Sequence, residues 1–202
     1  MRVALFGGTF DPPHRGHVAV AKAAADAFGL DRVLFAPVGR QPLKAKNGAS
    51  AFADRVAMVE LACAGDGRFE VSLVDAPRAD GTPNYTVDAL LALRQTMPDD
   101  SLFNLVGADS FLHMRQWREP ERLLELAEWI VVSRPGFPLA AIEAMGWTRG
   151  QRERVHLLEG VQEDVAATTL RERLEAGASC TDVLPEPVAA YIQQHRLYRQ
   201  GD

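Results

Sequence analysis

The sequence predicts an α/β protein: a doubly wound parallel sheet with a helical C-terminal end. Three observations carry that expectation. A strand, a tight loop and a helix open the chain, and the same unit then recurs along it. The apolar runs are short and are punctuated by Gly and Pro, as buried strands between loops are. At 202 residues with 47% hydrophobic content, the chain can also bury a sizeable core. Strands alternating with helices favour a parallel sheet covered on both faces.

Residues 2–6 read as a short buried strand that breaks at Gly7-Gly8. After Pro12-Pro13, residues 14–28 read as an Ala-rich helix ended by Gly29. The second unit has a strand over 32–36, a loop with Pro and Gly running to Gly48, and a helix over about 50–64. Ser50 is its expected N-cap, and Phe52, Val56, Val59 and Cys63 recur at helical spacing. A strand over 69–74 leads to a helix over 86–96 and a strand over 102–106. Another helix begins near Pro120, a favoured first-turn residue, and feeds a strand over 129–133. A strand over 155–158 and helical segments near 168–174 and 187–194 complete the chain. No linker, repeat or low-complexity tract marks an internal boundary, so residues 1–202 are expected to form one domain.

Composition narrows the function classes. With 22 Lys and Arg against 27 Asp and Glu, the net charge is -5. That balance excludes a coat for nucleic acid or anionic membrane, which needs a broad positive excess. The charge is unevenly spread: residues 1–48 hold seven basic and three acidic residues, leaving 15 and 24 for residues 49–202. A confined anion site in the basic third therefore remains open. Cys63 and Cys180 lack the close spacing of a zinc knuckle and read as buried thiols. No apolar run approaches the roughly 18 residues needed to span a bilayer, and none has the form of a signal peptide. A soluble cytoplasmic protein is expected.

Ligands of an open parallel sheet bind beyond the carboxyl ends of its strands. The loop after the first strand, Gly7-Gly-Thr-Phe-Asp-Pro-Pro-His-Arg-Gly-His17, is the most informative stretch there. Its glycines let backbone approach a ligand and free amide groups for anionic oxygens. His14 and His17 share a face at the positive end of the next helix, with Gly16 leaving room between them. The spacing is that of neither a P-loop nor a dinucleotide fingerprint. On spacing alone, two readings stand level. The imidazoles either donate to polyphosphate oxygens or are surface or metal-binding residues beside a turn.

The whole string resembles the G-x-F-D-P-x-H-x-G-H signature of the nucleotidyltransferase superfamily. Further stretches are similar to the bacterial nicotinate-mononucleotide adenylyltransferases. These are Asn84-Tyr-Thr-Val-Asp88, Arg55 with Met58, Val106-Gly-Ala-Asp-Ser110 with Trp117, Ser133-Arg-Pro-Gly136, and Leu184-Pro-Glu-Pro-Val188 followed by Tyr191, Ile192, Leu197 and Tyr198. The resemblance covers essentially the full chain and has two departures. Leu43 stands where the family has histidine before Lys44, and Ala166 stands where it has serine before Thr168 and Arg171.

The resemblance implies a Rossmann-like fold and transfer of the adenylyl group of ATP to nicotinate mononucleotide, with Mg2+ on the phosphates. His14, His17, Lys44 and Arg171 are implied as the catalytic, phosphate-binding set. Gly7, Gly8, Thr9, Phe10, Gly107, Asp109 and Thr168 are implied in ATP binding, with Asp109 accepting from the ribose hydroxyls. Tyr85, Thr86, Trp117 and Arg134 are implied on the mononucleotide, with Trp117 stacked on the pyridine ring. No protein metal site is expected. Nicotinamide mononucleotide or pantetheine phosphate as acceptor, and a nucleotide-binding paralogue without turnover, stay open, as does homo-oligomerisation. For Asp109 an alternative is a cap on a helix near Ser110, and for Arg171 an ion pair with Glu172 or Glu175. His113, His156 and His195 match no signature and read as structural or surface residues.

Overall fold

Strands β1 (Arg2–Gly8), β2 (Arg32–Pro37), β3 (Phe69–Val71), β4 (Ser101–Gly107), β5 (Glu128–Val132) and β6 (Val155–Leu158) form one sheet in the order β3-β2-β1-β4-β5-β6. Every pairing in it is parallel. The computed structural model describes residues 1–42, 49–133, 142, 144–161 and 167–199. Helices α1 (Arg15–Phe28), α2 (Phe52–Cys63), α3 (Thr86–Thr96), α4 (Ala108–Phe111), α5 (Pro120–Leu126), α6 (Arg149–Arg152), α7 (Ala167–Glu175) and α8 (Glu186–Gln194) flank or follow the strands. No helix among the described residues is long and apolar enough to cross a membrane.

Side chains alternate along each strand between two cores, as the pleat requires. Val3 and Leu5 of β1, Leu34 of β2 and Trp129 and Val131 of β5 pack with α3 and α5. Ala4 and Phe6, Val33 and Phe35, and Ile130 and Val132 face α1 and α2 on the other side. Trp129 is fully buried, and its indole N–H donates to the Leu123 carbonyl at 3.2 Å, so its polar atom is satisfied within the core. A third cluster joins Met58 and Ala62 of α2 to Leu170, Leu174, Cys180, Leu184, Val188 and Ile192. It docks the helical C-terminal end beside the start of α1. There the Arg15 amide donates to the Val183 carbonyl at 2.8 Å and the Arg15 guanidinium to that of Leu184 at 3.1 Å.

Several boundaries differ from the sequence expectation, each for a physical reason. β1 does not break at Gly7-Gly8 but runs through both glycines, and the Gly8 carbonyl accepts from the Val38 amide at 2.9 Å. β3 ends at Val71 rather than at residue 74. The Ser72 amide still donates to the Phe35 carbonyl, but the next donor on β2 in that rhythm is Pro37, which has no N–H. Ser50 does not cap α2; Ala51 holds that position without a side-chain bond. The Ser50 amide is turned instead to the Asp11 carboxylate and its carbonyl to the Arg55 guanidinium. α1 ends as expected at Gly29, whose φ of 56° is left-handed. Cys63 and Cys180 are buried free thiols, and burial pushes the Cys63 thiol up to about 12.

Candidate active site

From β1 the sheet grows in two directions, through β2 to β3 on one side and through β4 to β6 on the other. The loops after β1 and β4 therefore part at the carboxyl edge and leave a crevice between them. Register places them side by side: Phe6 pairs with Leu105, which brings Gly7-Gly8 up to Gly107. Gly107 holds the N-cap position of α4, so Asp109 lies in its first turn and does not cap it. The Asp109 backbone carbonyl meets Nδ1 of His113 at 2.7 Å, and its side chain is exposed.

Gly8 is packed closely by the Phe10 ring. A Cβ there would lie 3.0 Å from the Phe10 ring, whereas at Gly7 nothing stands within 4 Å. Phe10 folds back with a left-handed φ of 50°, a conformation costing roughly 1–3 kcal/mol for a non-glycine residue. Burial of its ring between Phe6 and Phe35 offsets that strain. The same ring meets His17 edge-on at 5.0 Å. His14 occupies the N-cap position of α1 and is buried, and its ring lies over that of His17 with centroids 3.7 Å apart. The His14 backbone N–H donates to Nδ1 of His17 at 3.2 Å. That bond makes Nδ1 an acceptor, so we infer that the neutral imidazole carries its proton on Nε2. Burial, reinforced by the neighbouring His14, holds His17 well below its usual pKa. At neutral pH it is an uncharged donor.

Asp11 organises the rest of this wall. Its carboxylate is almost fully buried and accepts from the Tyr198 hydroxyl at 2.6 Å and from the Ser50 amide at 3.2 Å. The Asp11 carbonyl accepts from the Arg171 guanidinium at 2.9 Å, and that guanidinium also reaches Thr168 Oγ1 at 3.4 Å. Among the described residues, Arg171 makes no ion pair with Glu172 or Glu175. Arg55 is buried with its guanidinium donating to the carbonyls of Thr9, Val38 and Ser50. It holds the β1 and β2 loops together.

Thr9, Phe10, Asp11, His17, Thr168 and Arg171 line one wall of a cavity of about 580 Å³. Arg40, Gln41, Pro77, Arg78, Gly81 and Thr82 line the other. This second wall is not read from the sequence. Asn84 builds it: its side-chain carbonyl accepts from the Arg40 amide at 3.0 Å, its amide donates to the Arg40 carbonyl at 2.9 Å, and its Nδ2 reaches Ala76 at 2.8 Å. The Gly39 amide donates to the Asp75 carbonyl at 2.8 Å, and a Cβ on Gly39 would lie 2.9 Å from the Ala76 carbonyl carbon and closer still to Pro77. Burial raises the Asp75 carboxyl to about 6, a bond from Asn84 partly opposing it. The sequence signals were Gly39 just past a strand and an Asn immediately before Tyr85-Thr86. Neither names its distant partner.

Tyr85 and Thr86 stand at the start of α3, and Trp117 follows the short 3-10 turn Met114–Gln116. Tyr85 and Trp117 are both partly buried against the α3–α5 core, and Trp117 lies 6.0 Å from the Trp129 ring. The Arg118 guanidinium covers the Tyr85 ring at 5.0 Å, bringing these two segments together. They, Gly7, Gly8, Gly107 and His14 do not line the 580 Å³ cavity. Lys44 and Arg134, with Leu43 and Ala166, lie outside the described residues.

Residues 5–183 match the cytidylyltransferase-like family. A probable nicotinate-nucleotide adenylyltransferase of Roseiflexus sp. is 39% identical over 197 residues, covering 98% of each chain. One of Gloeobacter violaceus is 39% identical over 199 residues, covering 98% of this chain and 96% of its own. Among solved structures, the Plasmodium falciparum nicotinic acid mononucleotide adenylyltransferase complexed with NaAD superposes with a TM-score of 0.77. It is 14% identical and covers 98% of this chain and 97% of its own, a likeness of fold.

Proposed function

We propose that this chain, which belongs to the cytidylyltransferase-like family and within it to the nicotinate-nucleotide adenylyltransferases, transfers the adenylyl group of ATP to nicotinate mononucleotide, releasing pyrophosphate. The observation that carries the reading is the close His14–His17 ring pair at the start of α1, with His17 on the same wall as Arg171, which is bonded to the Asp11 turn. A 5′-phosphate oxygen of the mononucleotide attacks the α-phosphorus of ATP, and the bond to the β-phosphate oxygen breaks. Such a displacement asks for in-line placement and charge stabilisation rather than a protein nucleophile.

The neutral Nε2–H of His17 donates to phosphate oxygens, and Arg171 with Thr168 meets the departing pyrophosphate. His14 stacks behind His17 and fixes its ring. Gly7, Gly8, Thr9 and Phe10 seat the triphosphate, and Lys44 grips it. Gly107 and Asp109 hold the adenosine. Tyr85, Thr86, Trp117 and Arg134 take the nicotinate mononucleotide. Asp11 is the cavity's one described carboxylate, and Tyr198 and Ser50 already engage it. A divalent cation, Mg2+, would therefore arrive on the triphosphate, and the Thr9 and Thr168 hydroxyls of the cavity lining would be the groups to meet it. It would supply charge neutralisation for the departing pyrophosphate.

The test measures pyrophosphate release with ATP and Mg2+ against nicotinate mononucleotide, nicotinamide mononucleotide and pantetheine phosphate. The highest kcat/KM is expected for nicotinate mononucleotide, and preference for either alternative overturns the reading. His17→Ala is expected to lower kcat about 100- to 1000-fold with the fold intact by circular dichroism.

A further inference from the structure

Four arginines line the cavity, and their partners set them apart. Arg55 is committed to three backbone carbonyls inside the wall. Arg78 is paired with Asp88 at 2.7 Å. Arg171 stands on the His17 side, donating to the Asp11 carbonyl and Thr168. Arg40 differs from all three. Its side chain is exposed in the cavity, pairs with no carboxylate among the described residues, and donates to the Gly81 carbonyl at 2.6 Å. Among the described residues, nothing else meets its five-donor fork.

Its backbone is fixed, by contrast. Asn84 clamps the Arg40 amide and carbonyl, and Gly39 is tied to Asp75 and packed on Pro77. A rigid backbone under an uncommitted guanidinium suits a planar cation that waits for an anion. Position decides which anion. The Arg40 backbone is bonded to Asn84, which directly precedes Tyr85 and Thr86, the residues given above to the mononucleotide, whereas Arg171 is bonded to the Asp11 turn that leads into His14 and His17.

We propose that Arg40 receives the 5′-phosphate of the acceptor mononucleotide, so that the two walls of the cavity separate the attacking phosphate from the triphosphate. This rests on the adenylyl-transfer reading given above. Two polyanions must meet in this reaction, and a cation on each lowers their mutual repulsion.

Arg40→Ala and Arg40→Lys, compared with wild type by pyrophosphate release, test the proposal. Arg40→Ala is expected to raise KM for nicotinate mononucleotide roughly 10- to 100-fold and leave KM for ATP within about twofold, with Arg40→Lys in between. Inhibition by nicotinate riboside, which lacks the phosphate, is expected to be equal in wild type and Arg40→Ala. An unchanged KM for the mononucleotide overturns the assignment alone. So does a parallel rise in KM for ATP, or weakened riboside inhibition, because Arg40 would then only tie down the Gly81 turn. Wild-type protein without turnover of ATP and nicotinate mononucleotide overturns the underlying reading as well.

Discussion

Tyr198→Phe isolates one hydrogen bond at the centre of the site. The change removes the hydroxyl and keeps the ring, so packing against the α2 cluster is preserved. The lost bond is a 2.6 Å contact with a carboxylate of which only 3% is exposed. The Ser50 amide, 3.3 Å from the same Asp11 oxygen, then stands alone on it. Hydrogen bonds to charged groups contribute about 1.5–3 kcal/mol, and each kcal/mol shifts Tm by about 2–4 °C in a chain of this size. A fall of about 3–12 °C is expected. The pH dependence gives a second readout. Burial, with the bond to Asp11, raises the Tyr198 hydroxyl above its ordinary 10. A group raised in the fold contributes stability that is present below its unfolded value and fades as pH climbs beyond it. The gap between wild type and Tyr198→Phe should therefore be full at pH 7 and shrink above about pH 10. Urea unfolding at both pH values measures it. A Tm change under about 1 °C, or a gap that does not close in alkali, refutes the assigned role.

Two further outcomes follow from the second wall of the cavity. Gly39→Ala forces a methyl group into the Ala76-Pro77 backbone and should destabilise by about 1–3 kcal/mol, read by urea unfolding. Wild-type stability in that variant would show that the two loops part freely. Asp75→Asn removes a carboxyl that burial raises to about 6 from 3.8. In wild type that group withdraws stability as pH rises from about 4 to about 6, by no more than about 3 kcal/mol. The variant should lack that decline and equal or exceed wild type at pH 7; matching slopes between pH 4 and 7 would count against a raised carboxyl at the half-buried Asp75.

The repeating units were legible because strands buried on both faces are written as short apolar runs, as in residues 2–6 and 32–36. The His14 to His17 stretch was legible because its residues are contiguous. What escaped depends on partners far apart in sequence. β1 continues through Gly7-Gly8 because a backbone ladder needs no side chains, and β3 stops early because Pro37, on a different strand, has no amide hydrogen to give. Ser50 carries a favourable capping side chain, yet Asp11 claims its backbone. The hold of Asn84 on Arg40 bridges 44 positions, and no local pattern announces it.

The bond between Asp11 and Tyr198 spans 187 positions. Tyr198 lies beyond the last helix, α8, so a chain cut after α8 would keep all six strands and both covered faces of the sheet. It would nevertheless leave the Asp11 carboxylate without its shortest donor, with only the Ser50 amide on it, in the turn that leads to His14 and His17. The length of chain that supplies the sheet and the length that completes the bonding of the Asp11 turn therefore differ by a handful of residues.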